Sequence, residues 1–291
     1  MTADPARPTI KTYALYLLIF PGAPLLMLAA LHLHRGHAAP GRLPWMALLL
    51  HMLIAVVYTT PWDNYLVATG VWWYDPARVI GVTLGWVPIE EYTFFVVQTL
   101  MTGMWLLWLR RGLAALPSPH LSPSELEGAG APSPLRGEGR GEGRTGTGWR
   151  WRPWIPGLLL AGALAVPWCA ATAIVLAGWQ PGAYLALELA WFLPPIILQI
   201  IVGCNILWQQ RQLVVVALLP PILYLAATDA VAIAAGVWTI NPQQTLGLLL
   251  GGVLPIEEIV FFALTNTLIV FGMVLVITVG QRGFAKEETS H

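Results

Sequence analysis

The stretch DNYLVATGVWWYDPARVIGVTLG, residues 63–85, recurs as DAVAIAAGVWTINPQQTLGLLLG, residues 229–251, at an offset of 166. Nine of the 23 positions are identical: Asp63/Asp229, Ala68/Ala234, Gly70/Gly236, Val71/Val237, Trp72/Trp238, Pro76/Pro242, Gly81/Gly247, Leu84/Leu250 and Gly85/Gly251. After one inserted residue, PIEEYTFF (Pro88–Phe95) matches PIEEIVFF (Pro255–Phe262) at six of eight positions. Self-similarity over this length marks two copies of one structural unit, so the fold is that unit used twice.

The surrounding sequence sets the solvent. Of 291 residues, 57% are hydrophobic and 10% charged, against roughly 45–50% and 25% in soluble domains. About 20 apolar residues cross a hydrocarbon core as a helix. Seven stretches meet that length: 13–33, 44–62, 88–109, 154–177, 184–208, 213–235 and 254–279. The first is too long for the apolar region of a signal peptide and reads as a retained anchor. Prolines inside the spans (Pro21, Pro24, Pro167, Pro194, Pro195, Pro220, Pro221) would break soluble helices but act as kinks in membrane ones. The expected fold class is all-α, an integral membrane bundle of about seven transmembrane helices. The 15 basic and 15 acidic residues cancel, which excludes a polyanion-binding protein driven by bulk charge. Cys169 and Cys204 both lie in apolar runs and support neither a disulfide framework nor a zinc site.

Each copy reads as helix, helix, partly extended connector, helix, giving a first unit over 1–110 and a second over 178–291. Three spans would leave the second copy inverted, and the extra span at 154–177 turns it over. The repeats are therefore expected to be parallel, with both Pro-Ile-Glu-Glu motifs at one membrane face; transporters of inverted repeats show the opposite. Residues 111–153, rich in Gly, Pro, Ser, Arg and Glu, read as a disordered linker. Its GEGRGEGR run follows no strand and is low complexity, not a phosphate loop. Twelve Lys and Arg residues fall on the linker side and three on the other. This places the C-terminus in the cytoplasm and the N-terminus outside, with a bacterial plasma membrane as the expected location.

Seven of the acids lie in or at the ends of spans: Asp63, Glu90, Glu91, Glu188, Asp229, Glu257 and Glu258, with no Lys or Arg inside a span to pair with them. Carboxyls at such depth are expensive and mark function by default. In low dielectric a carboxyl can hold its proton near neutral pH, and clustering reinforces this. Glu90, Glu91, Glu257 and Glu258 are thus the catalytic candidates. The competing reading is local: proline opening a helix and glutamates in its first turn suit the helix dipole. Adjacent positions diverge by about 100° around a helix, so one glutamate of each pair faces a cavity and the other a neighbour. Asp63 and Asp229 either close the preceding helices or stand behind the glutamates as partners. Trp72, Phe94, Phe95, Trp238, Phe261 and Phe262 serve the lipid interface or core, or bind substrate with ring faces able to stabilise a cation. His51 reads as a lone core imidazole, Glu188 has no counterpart in the first copy, and Gln199, Asn205 and Asn266 suit interhelical hydrogen bonding.

A Pro-x-Glu-Glu motif used twice at helix starts, in two three-helix units, resembles the heterodimer-type, flavin-independent lycopene β-cyclases in a fused single-chain form with two tandem cyclase domains. The family hallmark Pro-x-Glu-(Glu/Asp) stands here as Pro88-Ile89-Glu90-Glu91 and Pro255-Ile256-Glu257-Glu258. The resemblance covers nearly the whole chain outside the linker and the turning span. It implies that the four glutamates isomerise the linear end group of lycopene to a β-ionone ring, giving γ-carotene and then β-carotene. It implies no cofactor and no metal. Its implied partners are lycopene or a related linear carotenoid, the lipid bilayer and other enzymes of carotenoid synthesis, with no nucleic acid. The chain lacks the dinucleotide-binding glycine pattern of flavin-dependent cyclases.

Rival readings keep the same carboxyls. A membrane prenyltransferase would need aspartate-rich Mg²⁺ motifs and basic residues for diphosphate within the spans, and they hold neither. A cyclase forming ε or γ rings, or acting on longer carotenoids, and a proton or cation carrier using the carboxyls as a relay are the remaining alternatives.

Overall fold

The computed structural model describes residues 12–34, 41–114 and 155–288. Seven spans are long and apolar enough to cross a membrane, and they coincide with the seven expected stretches. The first is broken by Pro21 into α1 (Thr12–Ile19) and α2 (Gly22–His34). Next come α3 (Arg42–Ala68), which runs past its expected end, and α4 (Ile89–Ala114). The extra span is α5 (Ile155–Ala177), followed by α6 (Ala183–Gln209), α7 (Arg211–Ala234) and α8 (Ile256–Glu288). The expected linker over 111–153 lies outside the described residues except for its first four, which extend α4.

The helices alone do not explain the site; the connectors do. In the first copy the chain leaves α3 through β1 (Trp72–Tyr74) and a small hairpin, β2 (Thr83–Leu84) with β3 (Val87–Pro88), before entering α4. The second copy repeats this with β4 (Trp238–Ile240), β5 (Leu249–Leu250) and β6 (Leu254–Pro255). Gly70 and Gly236 end α3 and α7 with φ of 70° and 68°, a conformation that only glycine adopts without strain. The reversal lets Val71 and Val237 donate back to the carbonyls of Leu66 and Ala232 at 2.9 and 3.0 Å.

β1 and β4 pair antiparallel in the register Trp72↔Ile240, Trp73↔Thr239, Tyr74↔Trp238. Each strand thus pairs with its own equivalent about the Trp73/Thr239 position. Further bonds recur in pairs: Tyr58 Oη donates to the Trp191 carbonyl and Tyr224 Oη to the Phe20 carbonyl, both at 2.7 Å. Likewise the amides of Tyr13 and Tyr184 donate to the carbonyls of Arg78 and Gln244, at 3.1 and 2.9 Å. Helices α4 and α8, which carry the glutamates, pack against each other, α3 packs on α8 and α4 on α7. Helix α5 packs on α6 and leaves much of its surface open, as a lipid-facing helix would.

Candidate active site

At the level where α4 and α8 begin, the β1–β4 ribbon covers a narrow cavity of about 40 Å³. The period of a strand explains the cover: Trp72, Tyr74, Trp238 and Ile240 line the cavity, while Trp73 and Thr239 between them are exposed. Glu91, Phe94 and Phe95 enter from α4, Glu258, Phe261 and Phe262 from α8, with Trp62 from α3 and Asp229 from α7. All six aromatic residues singled out as substrate-binding candidates therefore lie on the cavity wall.

The two glutamates of each pair separate as helix geometry requires. Glu90 turns back to the connector, its Oε1 accepting the amide of Ile80 at 2.5 Å, and Glu257 does the same for Leu246 at 2.6 Å. These two carboxyls hold the connectors against the helix starts. Glu91 and Glu258 face the shared cavity instead. All four glutamates are buried, as are Asp63 and Asp229, although Asp63 does not reach the cavity wall.

Three tyrosines complete the constellation, and motif reading did not select them. Tyr13, in the first turn of α1, and Tyr74, on β1, both donate to Glu91 Oε2, the latter at 3.0 Å. Tyr184, in the first turn of α6, donates to Glu258 Oε1 at 2.7 Å. The copies then interleave: Tyr184 packs on Trp72 of the first copy at 5.4 Å between ring centroids, and Tyr13 packs on Trp238 of the second at 5.1 Å. Trp62 stacks on Phe261 of the second copy, the rings 3° from parallel. Neither half of the site is complete without the other.

The halves also differ. Tyr74 has Ile240 as its counterpart, so Glu91 receives two phenol hydroxyls and Glu258 one. Without that second phenol, Glu258 shares its side of the cavity wall with the carboxyl of Asp229 and the indole of Trp238. Glu188, fully buried on α6 where the first copy has Leu17, adds a further carboxyl beside Tyr184 and Glu258. Tyr74 lies outside the spans, and burial, followed by the nearby Asp63 and Glu91, holds its phenol well above the ordinary tyrosine range. It is a hydrogen-bond donor at any physiological pH.

Fold and site together define a membrane protein whose two sequence copies enclose one acid–aromatic cavity. A family model described as lycopene cyclase matches residues 11–109 and 181–276. A lycopene beta-cyclase of Halobacterium salinarum is 34% identical over 264 residues, 91% of this chain and 95% of that protein. A bifunctional lycopene cyclase/phytoene synthase of Podospora anserina is 35% identical over 76% of this chain and 33% of its own length. Another with that description, from Leptosphaeria maculans, is 37% identical over 75% of this chain and 34% of its own length. No solved structure matches the chain. The chain belongs to the lycopene cyclase family.

Proposed function

We propose that the chain closes the linear end groups of lycopene to β rings, with Glu258 as the acid and Glu91 as the base. The single observation that carries this is the shared cavity: two carboxyls with unlike partners face one narrow, aromatic-lined space. A protonated carboxyl adds its proton to C2 of the terminal C1=C2 bond, leaving a tertiary cation at C1. The C5=C6 electron pair forms the C1–C6 bond and the positive charge moves to C5. A carboxylate removes the C6 proton, and that C–H pair becomes the new C5=C6 bond. One proton enters and one leaves, so no redox partner is needed.

Glu258 suits the first step because Asp229 lines the same small cavity, and two buried carboxyls that share such a space hold a proton between them more readily than two charges. Glu91 suits the last because two hydroxyls stabilise its anion. The aromatic side chains of Trp62, Phe94 and Phe261 line the cavity in which the cationic intermediate would form, and the ribbon would keep out water that would trap it as an alcohol. The β ring, rather than ε or γ, is supported by the relatives described as lycopene beta-cyclases. The fungal relatives joined to phytoene synthase support a place beside other enzymes of carotenoid synthesis.

The same reading treats the chain as two parallel three-helix copies in tandem, supported by the self-paired ribbon and the recurring bonds. By the Lys/Arg count, its N-terminus lies outside and its C-terminus in the cytoplasm. The test is expression in bacterial cells that accumulate lycopene, with pigments separated by chromatography. Monocyclic and bicyclic β-ring carotenoids are the expected products. Unchanged lycopene beside well-expressed, membrane-inserted protein would overturn the proposal.

A further inference from the structure

A second space adjoins the first. A groove of about 260 Å³ lies between α3, α6, α4 and α8 and shares Phe95 and Phe261 with the carboxyl cavity. Along α3 it runs from Thr59, one turn from Trp62, to His51, so cavity and groove together extend about 16 Å along the helix axis. At its rim Ile54 and Leu198 are 48% and 60% exposed, which opens it sideways toward lipid.

The polar side chains on its walls turn their donors to protein. Gln98 donates to Thr265 at 2.9 Å, Gln199 to the Leu268 carbonyl at 3.0 Å, and His51 Nδ1 meets the Ala47 carbonyl at 2.7 Å. Apart from Gln199 Oε1, which has no hydrogen-bond partner, what remains facing the groove is mainly hydrocarbon. The related place in the other copy is closed by larger or more deeply buried side chains. Leu225 stands for Thr59 and is fully buried, Leu28 stands for Gln199, and Met101 for Leu268, the last two at 3% and 4% exposure.

We propose that this groove seats the polyene arm of the substrate while one end group occupies the carboxyl cavity, and that the arm enters from the bilayer between α3 and α6. This rests on the cavity being the ring-forming site. The occupant follows from adjacency: a groove that has two phenylalanines of its wall in common with the carboxyl cavity is placed to hold the rest of the molecule whose end reacts there. Because buried leucine and methionine side chains occupy the related place among the described residues, one end is cyclised per binding event. The monocyclic product must leave, turn round and re-enter for the second ring.

The test narrows the groove away from the chemistry. Ala55 lines it and lies eight residues from Asp63, about 12 Å along α3. Ala55→Trp should slow ring formation from lycopene by about tenfold or more. Pro220→Trp, at the position in α7 related to the rim residue Ile54, should leave the rate unchanged. Binding is read separately with Glu91→Gln/Glu258→Gln protein purified from lycopene-accumulating cells. That protein should retain lycopene one-to-one, and adding Ala55→Trp should remove it without lowering the unfolding temperature. Retained lycopene and a near-normal rate in folded Ala55→Trp protein would overturn the groove assignment while leaving the cyclase reading intact. So would a groove that retains phospholipid instead of lycopene. Absence of ring formation by the unaltered chain would instead strike the cyclase reading itself.

Discussion

Tyr74→Phe is the sharpest perturbation of the difference between the two halves. It removes one oxygen and keeps the ring, which stacks on Tyr13 with centroids 6.1 Å apart and planes 15° from parallel. The lost hydroxyl donates to Glu91 at 3.0 Å and accepts from Trp72 Nε1 at 3.2 Å. A hydrogen bond to a charged group contributes about 1.5–3 kcal/mol. If Glu91 works as the anion, losing the donor shifts it toward its protonated, inactive form, and the rate of ring formation near neutral pH should fall by up to roughly 10- to 150-fold. Were Glu91 neutral throughout, a neutral bond of about 1 kcal/mol would predict only about a fivefold loss. The assay is the initial rate of β-ring appearance in isolated membranes supplied with lycopene, with thermal unfolding of the purified variant alongside. Ile240→Val, at the counterpart that makes no such bond, should leave the rate within about twofold, its cost falling on stability. The Tyr74 phenol itself stays protonated well above the ordinary tyrosine range, so the deficit reports the ionisation of Glu91 alone and should narrow as the pH rises. A folded Tyr74→Phe protein with an undiminished rate would refute the assignment of the charge to Glu91.

Further outcomes follow from the same geometry. Glu90→Ala and Glu257→Ala strip the acceptor from the part-buried amides of Ile80 and Leu246. Each should lower stability by about 1–3 kcal/mol in denaturation experiments. Glu90→Gln and Glu257→Gln keep an acceptor oxygen and should retain most of the ring-forming activity. Reaction in D₂O should place one deuterium at C2 for each ring, seen by mass spectrometry as one mass unit per ring. Label-free product would exclude a proton donor in exchange with solvent.

Much of this was legible in the chain. The seven spans follow from apolar length alone, and the repeat is visible as identities at a fixed offset. The 100° turn between adjacent residues already required Glu90 and Glu91 to part. Which one faces the cavity was not legible, because the amides of Ile80 and Leu246 decide it, and their position depends on the folded connectors. Tyr13 and Tyr184 escaped for a similar reason. They occupy equivalent first turns, yet they are 171 residues apart while the aligned motif is offset by 166, so the motif alignment never brings them together. Tyr74 could not be found by repetition at all, since Ile240 stands opposite it. The signal that would have found the pair is a tyrosine in the first turn of the opening helix of each copy.

The central claim is one composite site, and single variants of its two cavity-facing carboxyls test it most directly. Glu91→Gln and Glu258→Gln, each expressed alone in lycopene-accumulating cells, should each abolish both rings and leave lycopene as the only carotenoid. Retention of about half the unaltered rate by either variant would show that each copy carries its own site and would contradict the account.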